Sequence, residues 1–339
     1  MAESLLLAWF AFAACAAFIL FGGVWLTRYG HAIAEHTGLG GSWVGMVLLA
    51  TVTSLPELVT GVSAVTVADA PNIAVGDALG SCVFNLAIVS VLDWLHRGES
   101  LFDRADIGHL LSAAFGVMLL AFVAFNLVLG TGPGAWSIGH VGLYTPVIVV
   151  FYAFAMRIVY QHEKREMARA AAGAARKGGV TLRQAILRYA GAAAIVLVAG
   201  TVLPFAGKAI AAAYGWNASF VGTLLVAAAT SLPELVVTIA AVRIGALDMA
   251  IANLLGSNLF DMVIIAIDDL FYLPGPILAH VSPVHAASAL SAIVMTGAVM
   301  AGFVYRPKSR VLGTIGWASV FLLAVYVLNS YLLFLRGGG

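Results

Sequence analysis

Charge is scarce in this sequence. Asp, Glu, Lys and Arg together supply 10% of the 339 residues, against 62% hydrophobic ones. A soluble domain carries about 25% charged residues, so a soluble globular fold is excluded. Cysteine is nearly missing too. Cys15 and Cys82 are the only two, and both fall in apolar runs, which excludes a disulfide framework and leaves small packing residues as the reading. His31, His36, His96, His162 and His280 lie near the ends of apolar runs or in loops. None is spaced with another His or Cys as a metal pair, which argues against transition-metal chemistry. The opening MAESLLLAWFAFAACAAF lacks a basic leading region and continues into ILFGGVWL, so it reads as a span and not as a cleaved or lipidated leader.

What is present is apolar sequence in long runs. Residues 4–27, 43–69, 72–95, 107–129, 138–160, 185–213, 218–243, 247–271, 284–304 and 311–335 each suffice to cross a bilayer. They predict an all-α polytopic membrane protein with ten transmembrane helices. Basic residues crowd the gap after the fifth run: Arg157, Lys164, Arg165, Arg169, Arg176, Lys177, Arg183 and Arg188. The positive-inside rule puts that gap in the cytoplasm. Alternating the spans from there leaves only Lys208 and Arg336 outside, and brings Arg28, Arg97, Arg104, Arg243, Arg306, Lys308 and Arg310 inside. Both termini are then expected outside. Trp25, Trp43, Trp94, Trp136 and Trp216 fall near predicted span ends, as an aromatic belt would.

The chain also repeats itself. SWVGMVLLATVTSLPELVTGVSAV from Ser42 recurs as SFVGTLLVAAATSLPELVVTIAAV from Ser219, and GDALGSCVFNL from Gly76 recurs as ANLLGSNLFDM from Ala252. The first copy carries one extra residue between the two motifs, near Pro71. Residues 1–160 thus form one five-helix unit, 161–184 a short basic cytoplasmic linker, and 185–339 a second unit. An odd number of spans per unit inverts the second copy relative to the first. Inverted repeats with interrupted helices are a signature of secondary transporters.

Each copy places Pro beside Glu inside a span. Pro56 and Pro233 remove a backbone donor and clash with the carbonyl one turn earlier, so they interrupt the helix. Freed carbonyls are tolerated in hydrocarbon only where a neighbour or a cation uses them. Thr53, Ser54, Thr230 and Ser231 add hydroxyl oxygens and Glu57 and Glu234 add carboxylates. Ser81, Asn85, Ser257 and Asp261 follow in the second motif, Ser and Asn or Asp on one helix face. Hard cations such as Na+ and Ca2+ take this all-oxygen ligand set. Gly80 and Gly256 permit close approach of their helices.

With TSLPE followed by GSCVFN, and TSLPE followed by GSNLFD, the sequence resembles the cation/calcium exchanger superfamily, in particular its sodium/calcium exchanger branch. The resemblance implies Na+/Ca2+ exchange by alternating access, with Glu57 and Glu234 as central ligands of both ions. It further implies that Thr53, Ser54, Ser81, Asn85, Thr230, Ser231, Ser257 and Asp261 complete a cluster of ion sites, with backbone oxygens at Ala50 and Ala227. The first and sixth helices would slide against the rest. Proton or potassium coupling, and a passive cation channel, stay open as alternatives; the absence of a GxGD-type pair argues against an intramembrane aspartyl hydrolase.

Several residues depart from the pattern or stand outside it. Asp77 occupies a position where the matching residue is Asn253, and is either an added carboxylate on the outer approach or a hydrogen-bonded interfacial acid. Cys82 replaces the Asn matched by Asn258 and reads as packing. Asp93, Asp268 and Asp269, at helix ends, read as caps or interfacial ion partners, with an ion-pathway role as the alternative. No cofactor, nucleic acid or obligatory protein partner is expected; the partners are inorganic cations and lipid. The absence of an organellar signal points to a prokaryotic plasma membrane.

Overall fold

The computed structural model describes residues 2–37, 41–95, 101, 106, 108–129, 136–170, 180–214, 218–306, 310–311 and 315–336. His96, Arg97, Arg104, Arg176, Lys177, Trp216 and Lys308 lie outside the described residues. Among those described, nine helices are long and apolar enough to cross a membrane, and a bent pair supplies a tenth crossing.

In chain order the helices are α1 (Ala2–Thr37), an interrupted α2, α3 (Pro71–Leu95), α4 (His109–Leu129), α5 (Tyr144–Ala170), α6 (Leu182–Tyr214), an interrupted α7, α8 (Leu247–Phe271), α9 (His285–Tyr305) and α10 (Trp317–Arg336). The first part of α2, α2a, runs through Gly41–Val44, Gly45–Leu49 and Ala50–Thr53, and α2b is Leu55–Thr66. Likewise α7a comprises Ala218–Phe220, Val221–Val226 and Ala227–Thr230, and α7b is Leu232–Arg243. Because spans alternate, the starts of α4, α8 and α10 share the linker's side with the end of α3. The starts of α3, α5 and α9 lie on the other side with the ends of α2 and α8.

Several predicted boundaries move, three of them with a cause visible in the structure. The first helix does not stop at residue 27 but runs 36 residues, about 54 Å at 1.5 Å per residue. That exceeds a hydrocarbon core of about 30 Å. Charge ended the apolar run, yet His31 and Glu35 simply pair one turn apart on its surface (3.6 Å). The fifth and tenth helices start later than expected because each is preceded by a two-stranded hairpin. Ser137–Ile138 (β1) pairs with Val141–Gly142 (β2), and Arg310–Val311 (β3) with Ile315–Gly316 (β4). Their apolar residues are indistinguishable by hydropathy from the helices that follow.

These hairpins are gripped by the aspartates at the ends of α3 and α8. Asp269 accepts hydrogen bonds from the Gly142 N–H (2.8 Å), Thr145 Oγ1 (2.6 Å), the Tyr144 hydroxyl (2.6 Å) and the Ile277 N–H (2.7 Å). Asp93 accepts from the Gly316 N–H (2.7 Å) and Ser319 Oγ (2.8 Å). Each thus caps the start of a helix from the opposite repeat, where an acid also meets the favourable end of the helix dipole. Asp269→Ala strips four donors of their acceptor in a buried site. It is expected to cost at least about 3 kcal/mol, seen as a lowered midpoint in a thermal size-exclusion assay, with a smaller loss for Asp93→Ala.

A second matched pair was not foreseen. His109 Nε2 lies 3.0 Å from Asp248 Oδ1, which also accepts the Asp106 N–H. On the opposite side, His285 Nε2 lies 3.1 Å from Asn72 Oδ1, which accepts the Ser282 N–H. These struts tie α4 to α8 and α9 to α3.

The core is divided. Its largest apolar cluster draws on α2 to α5 and α7 to α10, with Leu79, Leu86, Leu119, Ile265 and Phe303 among its fully buried members, and contains no residue of α1 or α6. Those two helices pack chiefly along each other and join smaller clusters, such as Cys15, Ile19 and Ala199 with Ala229 and Val236. Their outer faces expose Leu6, Phe10, Phe18, Phe21, Leu187 and Val198, as surfaces toward lipid do.

Candidate cation site

The helix interruptions fall at Ser54 and Ser231, whose backbones sit near φ −89°, ψ 6° and φ −83°, ψ 7°. Pro56 and Pro233 follow as early residues of α2b and α7b, the position where a missing N–H costs least. The α7 halves are bent by 43°. One turn before each break the backbone widens into a π-helix, Gly45–Leu49 and Val221–Val226. Nothing in the apolar pattern signalled this. Its cause is packing: Gly45 lies against the Met249 backbone of α8, and Gly222 against Ile73 of α3.

Gly256 and Gly80 complete the same two crossings. A Cβ on Gly256 would fall 2.7 Å from the Met46 carbonyl, and one on Gly80 would fall 2.7 Å from Thr223 Cα. The close approaches they allow are therefore α8 with α2a and α3 with α7a. Each interrupted helix lies on the polar helix of the other repeat.

That exchange brings the predicted residues together. Ser54 Oγ donates to Glu234 Oε1 (3.0 Å), and Ser231 Oγ is 3.1 Å from Glu57 Oε1 and 3.0 Å from Ser81 Oγ. Ser257 Oγ donates to Glu234 Oε1 (3.2 Å). Asn85 Nδ2 donates to Asn258 Oδ1 (3.1 Å), whose own amide reaches the Cys82 carbonyl (3.3 Å). All these side chains are buried.

One residue has a role beyond the one expected, and Asp77 takes its hydrogen-bonded reading. Cys82 is more than packing: its Sγ lies 3.4 Å from Asp261 Oδ2, inside the polar cluster. Asp77 reaches the same region, its Oδ1 accepting from Thr230 Oγ1 at 2.9 Å. Thr53 Oγ1 donates back to the Leu49 carbonyl one turn earlier (2.9 Å) and also lies against the Glu234 carboxylate. The Ala50 and Ala227 carbonyls each accept a serine N–H (3.0 and 2.9 Å) and a threonine hydroxyl (3.3 and 3.2 Å).

The arrangement leaves oxygen unsatisfied where it is expensive. Among the described residues, Glu57 Oε2, Glu234 Oε2, Asp261 Oδ1 and Asn85 Oδ1 are buried without a hydrogen-bond partner. An unmet buried acceptor costs about 1–3 kcal/mol, more if charged. Hard cations would meet them. No three carboxylate, imidazole or thiol groups converge on one point among the described residues. The geometry thus suits several adjacent cation positions, each sharing one or two carboxylates with hydroxyl and amide oxygens, better than a single three-acid centre.

Two inverted helix bundles, each lending an interrupted helix to a polar centre that they close jointly, define the architecture of a secondary transporter. The chain belongs to the sodium/calcium exchanger protein family, whose model matches residues 7–160 and 185–335. Its fold is similar to that of the sodium-calcium exchanger NCX_Mj soaked with Na+ and Sr2+, with a TM-score of 0.69 over 96% of this chain and 98% of that one, at 22% identity. The inner membrane protein YrbG of Escherichia coli K12 is 30% identical over 230 residues, 66% of either chain. An uncharacterized membrane protein of Methanocaldococcus jannaschii, MJ0091, is 28% identical over 244 residues, 72% of this chain and 75% of its own length. This protein is accordingly an integral membrane cation/calcium exchanger, a transporter and not an enzyme.

Proposed function

We propose that the chain exchanges Na+ for Ca2+ by alternating access, Na+ moving down its gradient to drive Ca2+ the other way. The observation that carries this reading is the matched pair Glu57 and Glu234: each is held by the interrupting serine of the opposite repeat, and each keeps one oxygen unsatisfied. Ser54, Ser81, Asn85, Ser231, Ser257 and Asp261 would complete the ion shells. Thr53 and Thr230, which donate their hydroxyl hydrogens, keep lone pairs for a cation, whereas the carbonyls of Ala50 and Ala227, each already accepting a serine N–H, would share theirs. One Ca2+ leaves a residual negative charge on Glu57, Glu234 and Asp261, whereas three Na+ cancel all three. The two loads therefore compete for one set of oxygens. A carrier whose empty, charged site resists movement and whose loaded site permits it exchanges without leak.

The independence of α1 and α6 from the main core supports their sliding as the moving pair. The units 1–160 and 185–339, joined by the basic segment 161–184, would sit with that segment in the cytoplasm and both termini outside, in a prokaryotic plasma membrane. The test is radiolabelled Ca2+ uptake into proteoliposomes loaded with Na+, with K+ or with a pH gradient. Uptake driven by internal Na+ alone is expected. Uptake that follows the K+ or the proton gradient would reassign the coupling ion, and uptake without any counter-ion would make the protein a channel.

A further inference from the structure

Seven acids are buried among the described residues, and six of them have roles above: Glu57, Glu234, Asp261 and Asp77 in or beside the polar centre, and Asp93 and Asp269 as caps. Asp268 has none. Its side chain is 0% exposed and neither carboxylate oxygen has a hydrogen-bond partner. It does not cap as its neighbour Asp269 does, because it projects from another face of α8, toward α2b. There a Cβ on Gly61 would fall 2.6 Å from Asp268 Oδ1. Gly61 stands one turn after Glu57 on the same helix face, about 6 Å along the axis, toward the side opposite the linker. Asp268 also lies within electrostatic range of Asp77.

The internal repeat gives this place a control. The residues matching Asp77, Gly61 and Asp268 are Asn253, Thr238 and Leu92. In that half, Asn253 Nδ2 donates to Thr238 Oγ1 (3.2 Å) and Leu92 is fully buried, so the position is neutral and filled. In the other half the amide has become a carboxylate, the hydroxyl side chain is deleted, and the leucine has become a second carboxylate. Packing does not account for this, since the matched half packs without it. An unpaired carboxylate at that depth costs several kcal/mol, and a protonated one would still lack an acceptor for its hydrogen. A cation meets the cost directly.

We infer that Asp77 and Asp268, the latter seated against Gly61 where any side chain would displace its carboxylate, form an additional cation-binding stop on the side of the membrane opposite the linker, one helical turn from Glu57. Two carboxylates with little other protein oxygen bind a hard cation weakly and leave it partly hydrated, which suits an ion passing toward the centre. The matched positions on the linker side, Asn253, Thr238 and Leu92, carry no carboxylate. This deepens the exchange reading and rests on it for the identity of the ion, but binding can be tested without transport.

The binding test uses Mn2+, a hard divalent ion whose aqueous EPR signal falls when it binds, and purified Glu57→Gln/Glu234→Gln protein, in which the centre is disabled. One residual ion with roughly millimolar affinity is expected. It should vanish on adding Asp268→Asn. It should vanish equally with the triple change Asp77→Asn, Gly61→Thr, Asp268→Leu, a residue set this fold already accommodates in its other half. In otherwise wild-type vesicles of known orientation, Asp268→Asn is expected to raise half-saturating Ca2+ roughly fivefold from the side opposite the linker only, leaving the maximal rate unchanged. Absence of the residual Mn2+, or its survival in both variants, would overturn the stop. So would an equal shift from both faces. Failure of wild-type protein to exchange would instead sink the sodium/calcium reading, with the Mn2+ result still deciding the stop.

Discussion

Glu57→Gln and Glu234→Gln are each expected to lower Na+-driven Ca2+ uptake by at least about 100-fold while leaving the protein folded. At a contact of about 2.4 Å and an effective dielectric near 20, a carboxylate attracts a divalent ion by on the order of 10 kcal/mol before desolvation. An amide retains only a dipole. The same substitution removes a buried charge without changing shape, and the Gln oxygen can still accept from Ser231 or Ser54 across the interface. Stability should therefore be unchanged or higher, which separates loss of transport from loss of fold. Both variants should lose transport because each Glu is held by the interrupting serine of the opposite repeat, although only Glu57 has the further carboxylates Asp77 and Asp268 one turn beyond it. Asp261→Asn should be milder, since its counterpart Asn85 is already an amide; a change in the Na+ to Ca2+ ratio is expected there, not silence. Uptake and thermal midpoints measured together decide this, and retained uptake by either Glu variant would remove that residue from the centre.

The contrast between these residues explains what could be read in advance. Carboxylates beside proline within apolar runs are chemically conspicuous, and recurrence at Glu57 and Glu234 separated them from incidental polar residues. The spans were legible because hydropathy is a property of composition. What stayed hidden depends on contacts between distant segments. The pairing of Ser54 with Glu234 and of Ser231 with Glu57 joins residues 180 and 174 positions apart. The π-helical turns follow from Gly45 and Gly222 lying against other helices. The strands before α5 and α10 use Ile138, Val141, Val311 and Ile315, which hydropathy cannot tell from helix. Cys82 looked inert because its meaning lies in Asp261, across the repeat boundary. Asp93 and Asp269 are repeat-equivalent, each eight residues after Asn85 or Asp261, and both cap as expected; Asp268 looked like them, and only its surroundings in the structure separate it as an acid without a hydrogen-bond partner.

Tethering α1 to α7 is expected to stop exchange reversibly. Gly23 of α1 lies close against α7b: a Cβ built there would lie 3.3 Å from Val236 Cβ, slightly below the 3.5–4.5 Å or so of disulfides. Replacing Val236 by Cys removes the branched methyl that crowds this position, so Gly23→Cys/Val236→Cys should close a bridge with little displacement. The remaining tie nearby is weak, Thr27 Oγ1 to the Val237 carbonyl at 3.2 Å, shared with the Gly23 carbonyl at 2.9 Å. Such a shared bond can be broken and remade as one helix slides, whereas a covalent bond cannot. Under oxidant, uptake should fall at least about tenfold, because a carrier held in one conformation cannot complete its cycle; reductant should restore it, and neither single variant should respond. Cys15 shares an apolar cluster with Val236, so it is replaced by Ala in the single and double variants alike, and the Cys15→Ala chain serves as their control. Full exchange by protein shown by mass to be bridged would mean that α1 moves together with α7, and the moving body would then have to be sought at the boundary between α7 and α3, where Gly80 and Gly222 allow the closest backbone approach.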